Sequence, residues 1–278
     1  MRLRVRFDAR VDAAALPGGT VCDYASGIVE PVYRTIIGLA RTVFFVEGLK
    51  FTVKGAERIP ARGGAVIAVN HTGYMDFTYA GLPVRTPKRY VRFMAKKEVF
   101  DSNISGPIMR ALRHIPVDRS AGTDSYLAAV EYLRKGELVG VYPEATISRS
   151  FEIKELKSGA ARMAIEAQVP IIPMVIWGAQ RVWTKGFPKR LGRTNTPIAI
   201  AVGEPIQPDG PATDLTVQLR ATMQAMLLDL QQDYVHEPGA YWVPARLGGG
   251  APTLEEADAM DAAEAEEKAA RRAAEDSL

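Results

Sequence analysis

Residues 65–77, AVIAVNHTGYMDF, hold a short apolar run that stops at Asn70, His71 and Thr72 and sets a carboxylate, Asp76, five residues after the histidine. An apolar run of this length, bounded by polar turn residues, reads as a buried strand of an α/β sheet. The carboxyl ends of such strands are where these folds place ligands, which makes His71 a candidate for chemistry.

His71 and Asp76 cannot be neighbours on one regular helix, because five residues leave them about 140° apart around its axis. They meet only if the chain bends between them. A turn after the strand, with His71 or Thr72 near a helix N-cap and Asp76 in an early turn, lets the carboxylate reach the imidazole. A carboxylate on one ring nitrogen fixes the tautomer and leaves the other nitrogen as a base able to deprotonate a hydroxyl. The alternative for the same residues is a histidine that merely caps a helix.

The chain has 278 residues, 47% of them hydrophobic, enough to bury a sizeable core. Its single cysteine, Cys22, excludes an internal disulfide framework and fits a reducing compartment. Charges interrupt the opening MRLRVRFDARVDAAA, so no secretory leader is expected and the cytoplasmic side is the expected address. No run approaches the roughly 20 apolar residues that span a bilayer. Residues 32–49 come nearest, with Arg34 and Arg41 interrupting them, and read either as a helix lying in a membrane interface or as a core-packing helix.

The net charge of +3 hides an asymmetry. Residues 251–278 carry nine acids against three bases, a charge of −6 that leaves +9 on residues 1–250. The basic body suits an anionic substrate or surface. The tail follows a linker-like ARLGGGAPT and is expected to be a solvated helix or unstructured, and dispensable for chemistry. This divides the chain into an N-terminal segment with an interfacial helix (1–50), an α/β domain (51–245) and an acidic Ala/Glu-rich tail (246–278).

Between these ends, strand-like and helix-like segments alternate. AVIAVN, YVRFMAKKEVF, HIPVD, ELVGVYPE, VPIIPMVIWG and PIAIAVGEPI read as strands, and the helices between them include ISGPIMRALR, TDSYLAAVEYLRKG and SGAARMAIEAQ. Residues 212–235 read as a long amphipathic helix. The order predicts an α/β fold with a largely parallel central sheet flanked by helices. In such a sheet His71, Asp118, Arg119 and Glu144, each after a strand, open on one edge.

NHTGYMD, HIPVDRS, YPEATISRS and VPIIPM together resemble, in order and spacing, the four motifs of the glycerolipid acyltransferase family, of the 1-acylglycerol-3-phosphate (lysophosphatidate) acyltransferase type. The resemblance spans about residues 50–205. It implies that His71 is the general base, oriented by Asp76, and that an acceptor hydroxyl attacks the thioester of acyl-CoA without an acyl-enzyme. Acyl-CoA is then a co-substrate, acyl carrier protein an alternative donor, and no cofactor or metal is implied. The implied acceptor is a lysophospholipid, lysophosphatidic acid first, with glycerol 3-phosphate or a glycolipid as alternatives. The implied place of work is the cytoplasmic face of the membrane, held peripherally.

By the same resemblance Arg119, Glu144, Thr146, Arg149, Lys157 and Gly159 bind substrate. A guanidinium at Arg119 suits a phosphate, whereas Glu144 suits a glycerol hydroxyl or a held cation. The third motif departs from the family's Glu-Gly-Thr-Arg-Ser: Ala145 stands where glycine is usual, and Ile147 and Ser148 displace Arg149. A positive φ there would strain Ala145. Lys157 and Gly159 recover the pattern as a phosphate contact and a tight helix start.

Residues 177–193 interleave Trp177, Trp183 and Phe187 with five bases, a composition suited to an anionic membrane interface or to coenzyme A phosphates rather than to nucleic acid. A non-catalytic lipid-binding protein of the same fold is the competing class. Three histidines without helical metal spacing make a histidine zinc site a poor fit, and no Gly-x-Ser-x-Gly elbow supports a serine hydrolase.

Overall fold

The structure is a computed structural model, and it describes residues 5–8, 31–85, 87, 89–118 and 122–275. In chain order, β1 (Val5–Asp8), α1 (Pro31–Val46) and β2 (Lys50–Lys54) precede β3 (Ala65–Val69) and α2 (Asp76–Ala80). There follow β4 (Val91–Lys96), α3 (Lys97–Asp101), α4 (Ser105–Ala111), β5 (Ile115–Val117), α5 (Gly122–Arg134) and β6 (Leu138–Val141). The chain continues with α6 (Gly159–Ala167), β7 (Ile171–Trp177), β8 (Pro197–Val202), α7 (Ala212–Gln232) and α8 (Leu254–Glu275).

The strands form one eight-stranded sheet in the order β1-β2-β8-β7-β3-β6-β4-β5. Every pairing is parallel except β7 with β8. The expected mixed α/β architecture with a largely parallel sheet is thus present, with β1 and β2 as strands beyond those read from the sequence. Residues 97–100, read as the end of a strand, instead turn into α3.

All five residues of β3 are buried, because helices cover both faces of the sheet. Successive side chains point to opposite faces, so the strand feeds two cores. Val66 and Ala68 join Leu133, Met163, Leu219 and Met223 beneath α5, α6 and α7. Ala65, Ile67 and Val69 join Phe44, Phe51, Tyr79 and Leu82 beneath α1 and α2. Phe44, Phe51 and Tyr79 pack ring on ring, with centroids 5.2–5.6 Å apart.

Residues 32–49 therefore do pack against the core through Phe44, but the helix has a second face. Leu39, Val43 and Val46, spaced at four and three residues, are exposed together with Phe45. Among the described residues, no helix is long and apolar enough to cross a membrane.

The stretch read as a linker is tightly folded. A Cβ on Gly249 would lie 2.0 Å from the carbonyl oxygen of Val243, so the close passage of the two backbones requires glycine there. Beyond it α8 starts with a reciprocal cap: Thr253 Oγ1 accepts the N–H of Glu256 at 3.2 Å, and Glu256 accepts the N–H of Thr253 at 2.8 Å. The expected helix is present, but it is not freely solvated. Ala257 is fully buried, and one acidic edge of α8 lies on the domain.

Candidate active site

At the carboxyl end of β3 the chain turns sharply through residues 70–75. Asn70 anchors the turn to β7: its side-chain oxygen accepts the N–H of Ile176 at 2.7 Å, and its amide nitrogen donates to the Ile176 carbonyl at 3.1 Å. Asp76 is the first residue of α2, and its Oδ2 accepts the N–H groups of Thr72 (2.8 Å) and Gly73 (2.9 Å). The same oxygen lies 3.0 Å from His71 Nδ1. The bend inferred from the five-residue spacing is thus built around the carboxylate that it brings to the ring.

Asp76 is fully buried, while the His71 side chain keeps 20% of its surface. With Nδ1 engaged, Nε2 is the nitrogen left to act on a substrate proton. Tyr142, at the end of β6, stacks on the imidazole at 4.1 Å and 19°, and Phe93 of β4 stacks on Tyr142 at 5.8 Å. Gly140 makes room for that stack, since a Cβ there would lie 2.5 Å from the Phe93 ring.

Glu144 is buried beside this pair. Its Oε1 accepts the backbone N–H of His71 at 2.9 Å, and its Oε2 accepts that of Lys154 at 3.1 Å. Burial pushes its pKa up to about 7, against the pull of those two N–H donors. The carboxylate expected to meet a glycerol hydroxyl or a cation also joins two main-chain segments, with one N–H on each oxygen. Ser148 completes the grip, donating its N–H to the His71 carbonyl at 2.7 Å.

The remaining expected residues divide. Thr146 is half-buried in the same loop, next to Ala145, whose φ of 60° is the left-handed backbone that makes glycine usual there. Lys157 is exposed just before α6, with its N–H bonded to the Pro143 carbonyl at 2.8 Å, and its ammonium makes no hydrogen bond or ion pair among the described residues. Gly159 opens α6 with empty space where a Cβ would be. Arg119 lies outside the described residues, although Asp118 before it is within them.

Arg149 is committed elsewhere: its Nε meets Asp261 at 3.1 Å and a terminal nitrogen meets Glu264 at 2.7 Å. The aromatic side chains of residues 177–193 are likewise engaged within the protein. Trp177 is core, Trp183 packs on Tyr74 with Lys189 over its face at 4.1 Å, and Phe187 stacks on Tyr241 at 4.3 Å. Lys189, Arg190 and Arg193 remain exposed.

Several contributors escaped the sequence reading. Tyr142 and Ser148 sit inside a quoted motif yet signal nothing by type. Gly73 is needed because a Cβ would lie 2.9 Å from the Trp183 carbonyl. Thr184 Oγ1 donates to the Thr72 carbonyl at 2.7 Å across 112 residues of sequence.

An apolar cavity of roughly 590 Å³, including its open mouth, lies between α1 and the domain. Ile36, Ile37 and Ala40 wall one side and Phe77, Leu82 and Phe93 the other. Phe93 therefore joins the cavity to the Tyr142–His71 stack. Arg41, Arg85 and Arg89 add three guanidiniums to the lining, and burial, with Arg41 alongside, lowers the pKa of Arg85.

An oriented imidazole at the carboxyl edge of a largely parallel sheet, beside an apolar cavity, defines an acyltransferase-like site, and residues 50–177 match the Acyltransferase family. The 1-acyl-sn-glycerol-3-phosphate acyltransferase of Bacillus subtilis is 30% identical over 158 residues, 55% of this chain and 72% of that protein. The enzyme of the same name from Limnanthes douglasii is 30% identical over 161 residues, covering 56% of this chain and 54% of the plant protein. The crystal structure of the LPA acyltransferase PlsC from Thermotoga maritima superposes with a TM-score of 0.55 at 19% identity, covering 73% of this chain and 90% of that one, a likeness of fold. The chain belongs to the glycerolipid acyltransferase family, of the 1-acyl-sn-glycerol-3-phosphate acyltransferase type.

Proposed function

We propose that this protein transfers a fatty acyl group from acyl-CoA to the free glycerol hydroxyl of lysophosphatidic acid, forming phosphatidic acid. The observation that carries the reading is the His71–Asp76 pair, with Nε2 of a 20%-exposed imidazole left open. An alcohol is a poor nucleophile near neutral pH, and a positioned imidazole is the usual remedy. Nε2 takes the hydroxyl proton as the oxygen attacks the thioester carbonyl, and Asp76 stabilises the imidazolium. Collapse of the tetrahedral intermediate breaks the C–S bond, and the imidazolium returns the proton to the departing thiolate.

The apolar cavity beside Phe93 is the proposed seat for an acyl chain. Lys157, exposed before α6, is the proposed partner of the acceptor phosphate. The exposed face of Leu39, Val43 and Val46, with Lys189, Arg190 and Arg193, supports peripheral attachment to an anionic leaflet on the cytoplasmic side, where acyl-CoA or acyl carrier protein would deliver the donor.

The test is thiol release from palmitoyl-CoA with and without lysophosphatidic acid. Acceptor-dependent release should fall about 10²–10⁴-fold in His71→Ala. Equal release by both proteins would remove His71 as the base. No release by either, from acyl-CoA or acyl carrier protein and with any of the glycerol acceptors, would favour the lipid-binding alternative.

A further inference from the structure

Two loops hold the His71 turn, and they grip different residues of it. The loop over residues 143–157 takes both main-chain groups of His71, through Glu144 Oε1 on its N–H and the N–H of Ser148 on its carbonyl. The loop over residues 178–190 takes the next positions, through Thr184 on the Thr72 carbonyl and the Trp183 carbonyl on the Tyr74 N–H at 3.0 Å. A relative shift of the two loops would therefore twist the peptide that carries the imidazole.

The facing edges of these loops carry like charges that should drive them apart: Arg149 and Lys154 on the first, Lys185 on the second. The tail helix α8 places Asp261 among all three. Its Oδ1 receives Arg149 Nε at 3.1 Å and Lys185 Nζ at 2.8 Å, and its Oδ2 receives Lys154 Nζ at 2.7 Å. Glu264, one turn on, spans the same gap, with Arg149 at 2.7 Å and Lys185 at 2.5 Å. Burial alone would raise the Asp261 pKa, but the hydrogen bonds from Lys154, Lys185 and Arg149 outweigh it and hold the group below the usual range. Lys185, ahead of Lys268 and Arg149, holds Glu264 down at about 2. Both carboxylates are ionised at neutral pH.

We propose that α8 is a clamp that ties the loop over 143–157 to the loop over 178–190, and that Asp261 is a positioning residue for His71. The inference rests on the acyltransferase reading for its catalytic consequence and on geometry for the clamp itself. It reassigns Arg149, which the family resemblance gives to substrate, to the tail. A tethered carboxylate competes at an effective concentration of order mM. Two of them on a capped helix with a buried Ala257 leave a free phosphate little access to the same cations.

The experiment is Asp261→Asn in the full chain, followed by amide hydrogen exchange and, separately, by steady-state acyl transfer well below the thermal midpoint. Exchange in a peptide covering residues 70–77 should quicken about tenfold while β7 stays protected. In the transfer assay kcat should drop about 10–100-fold, as expected for a misplaced base, with the KM for acceptor little changed. Asp261→Glu should restore both readouts. Asp258→Asn, which removes a largely exposed carboxylate from the same helix, should leave exchange over 70–77 as in the unaltered protein.

Faster exchange confined to 251–275, or an equal effect of Asp258→Asn, would overturn the clamp. So would a rise in kcat/KM on losing Asp261, which would make the tail a competitor for the substrate's anion. If the unaltered protein transfers no acyl group, the function proposed above fails, and the exchange result still decides the clamp.

Discussion

Glu144 holds His71 by its main chain: Oε1 of the buried carboxylate accepts the histidine N–H at 2.9 Å while the imidazole turns to Asp76. The cost of this arrangement is an ionisable group in a dry place, and it should be visible in the pH dependence of stability.

Burial raises the Glu144 pKa from 4.5 to about 7, so the folded state binds this proton more tightly than the unfolded chain does. The stability gained by protonation is fully present below about pH 4.5 and is lost as pH rises through 7. From pH 5 to 8 the protein should lose on the order of 2–3 kcal/mol from this group. Glu144→Gln should flatten that slope, although its amide cannot accept both N–H groups and its stability at pH 5 should be about 1 kcal/mol lower. Urea unfolding of both proteins at four pH values measures this. An unchanged slope in the variant assigns the titration to another residue.

Ala145 sits at φ 60°, a region costing an alanine about 1–2 kcal/mol. Glycine relieves the strain but orders a freer chain on folding, at about 0.5–1 kcal/mol. Ala145→Gly should therefore stabilise by about 0.5–1 kcal/mol and raise the thermal midpoint by about 2 °C. A lower midpoint would mean that the alanine methyl makes a contact worth more than the strain.

Ile37 projects from α1 into the cavity proposed for the acyl chain. Ile37→Trp should shorten that space without touching His71. Against a series from hexanoyl-CoA to stearoyl-CoA, the ratio of kcat/KM for short over long donors should rise about tenfold or more. An unchanged ratio, with the thermal midpoint preserved, places the chain elsewhere.

How far the sequence could be read depended on the range of the interaction. β3, its end at Asn70 and the His71–Asp76 pair were legible because the apolar run, the polar turn and the carboxylate that reaches the ring all lie within twelve residues of sequence. The hydrogen bonds of Asp76 to Thr72 and Gly73 are the local physics that a short motif records. The strained Ala145 was legible because a family position for glycine implies a backbone angle. The partners of Arg149 were not, since Asp261 lies 112 residues away and an acidic, alanine-rich helix has the composition of a solvated one. The direction of β8 was also hidden, because an apolar strand reads alike in either orientation.

That reversed strand decides what stands over the site. Because β8 runs antiparallel to β7, the chain leaving Trp177 returns to the sheet at Pro197 on the same edge, with no crossover to the far side. Nineteen residues are thereby confined above the turn that carries His71, and a connector becomes a roof. Parallel neighbours need a helical crossing whose length is bound to the sheet, whereas this span is pinned only at its two feet and by what it touches. Its length can change without rethreading any strand so long as Trp183 and Thr184 keep their bonds to the His71 turn, which makes the roof a part of this fold open to variation.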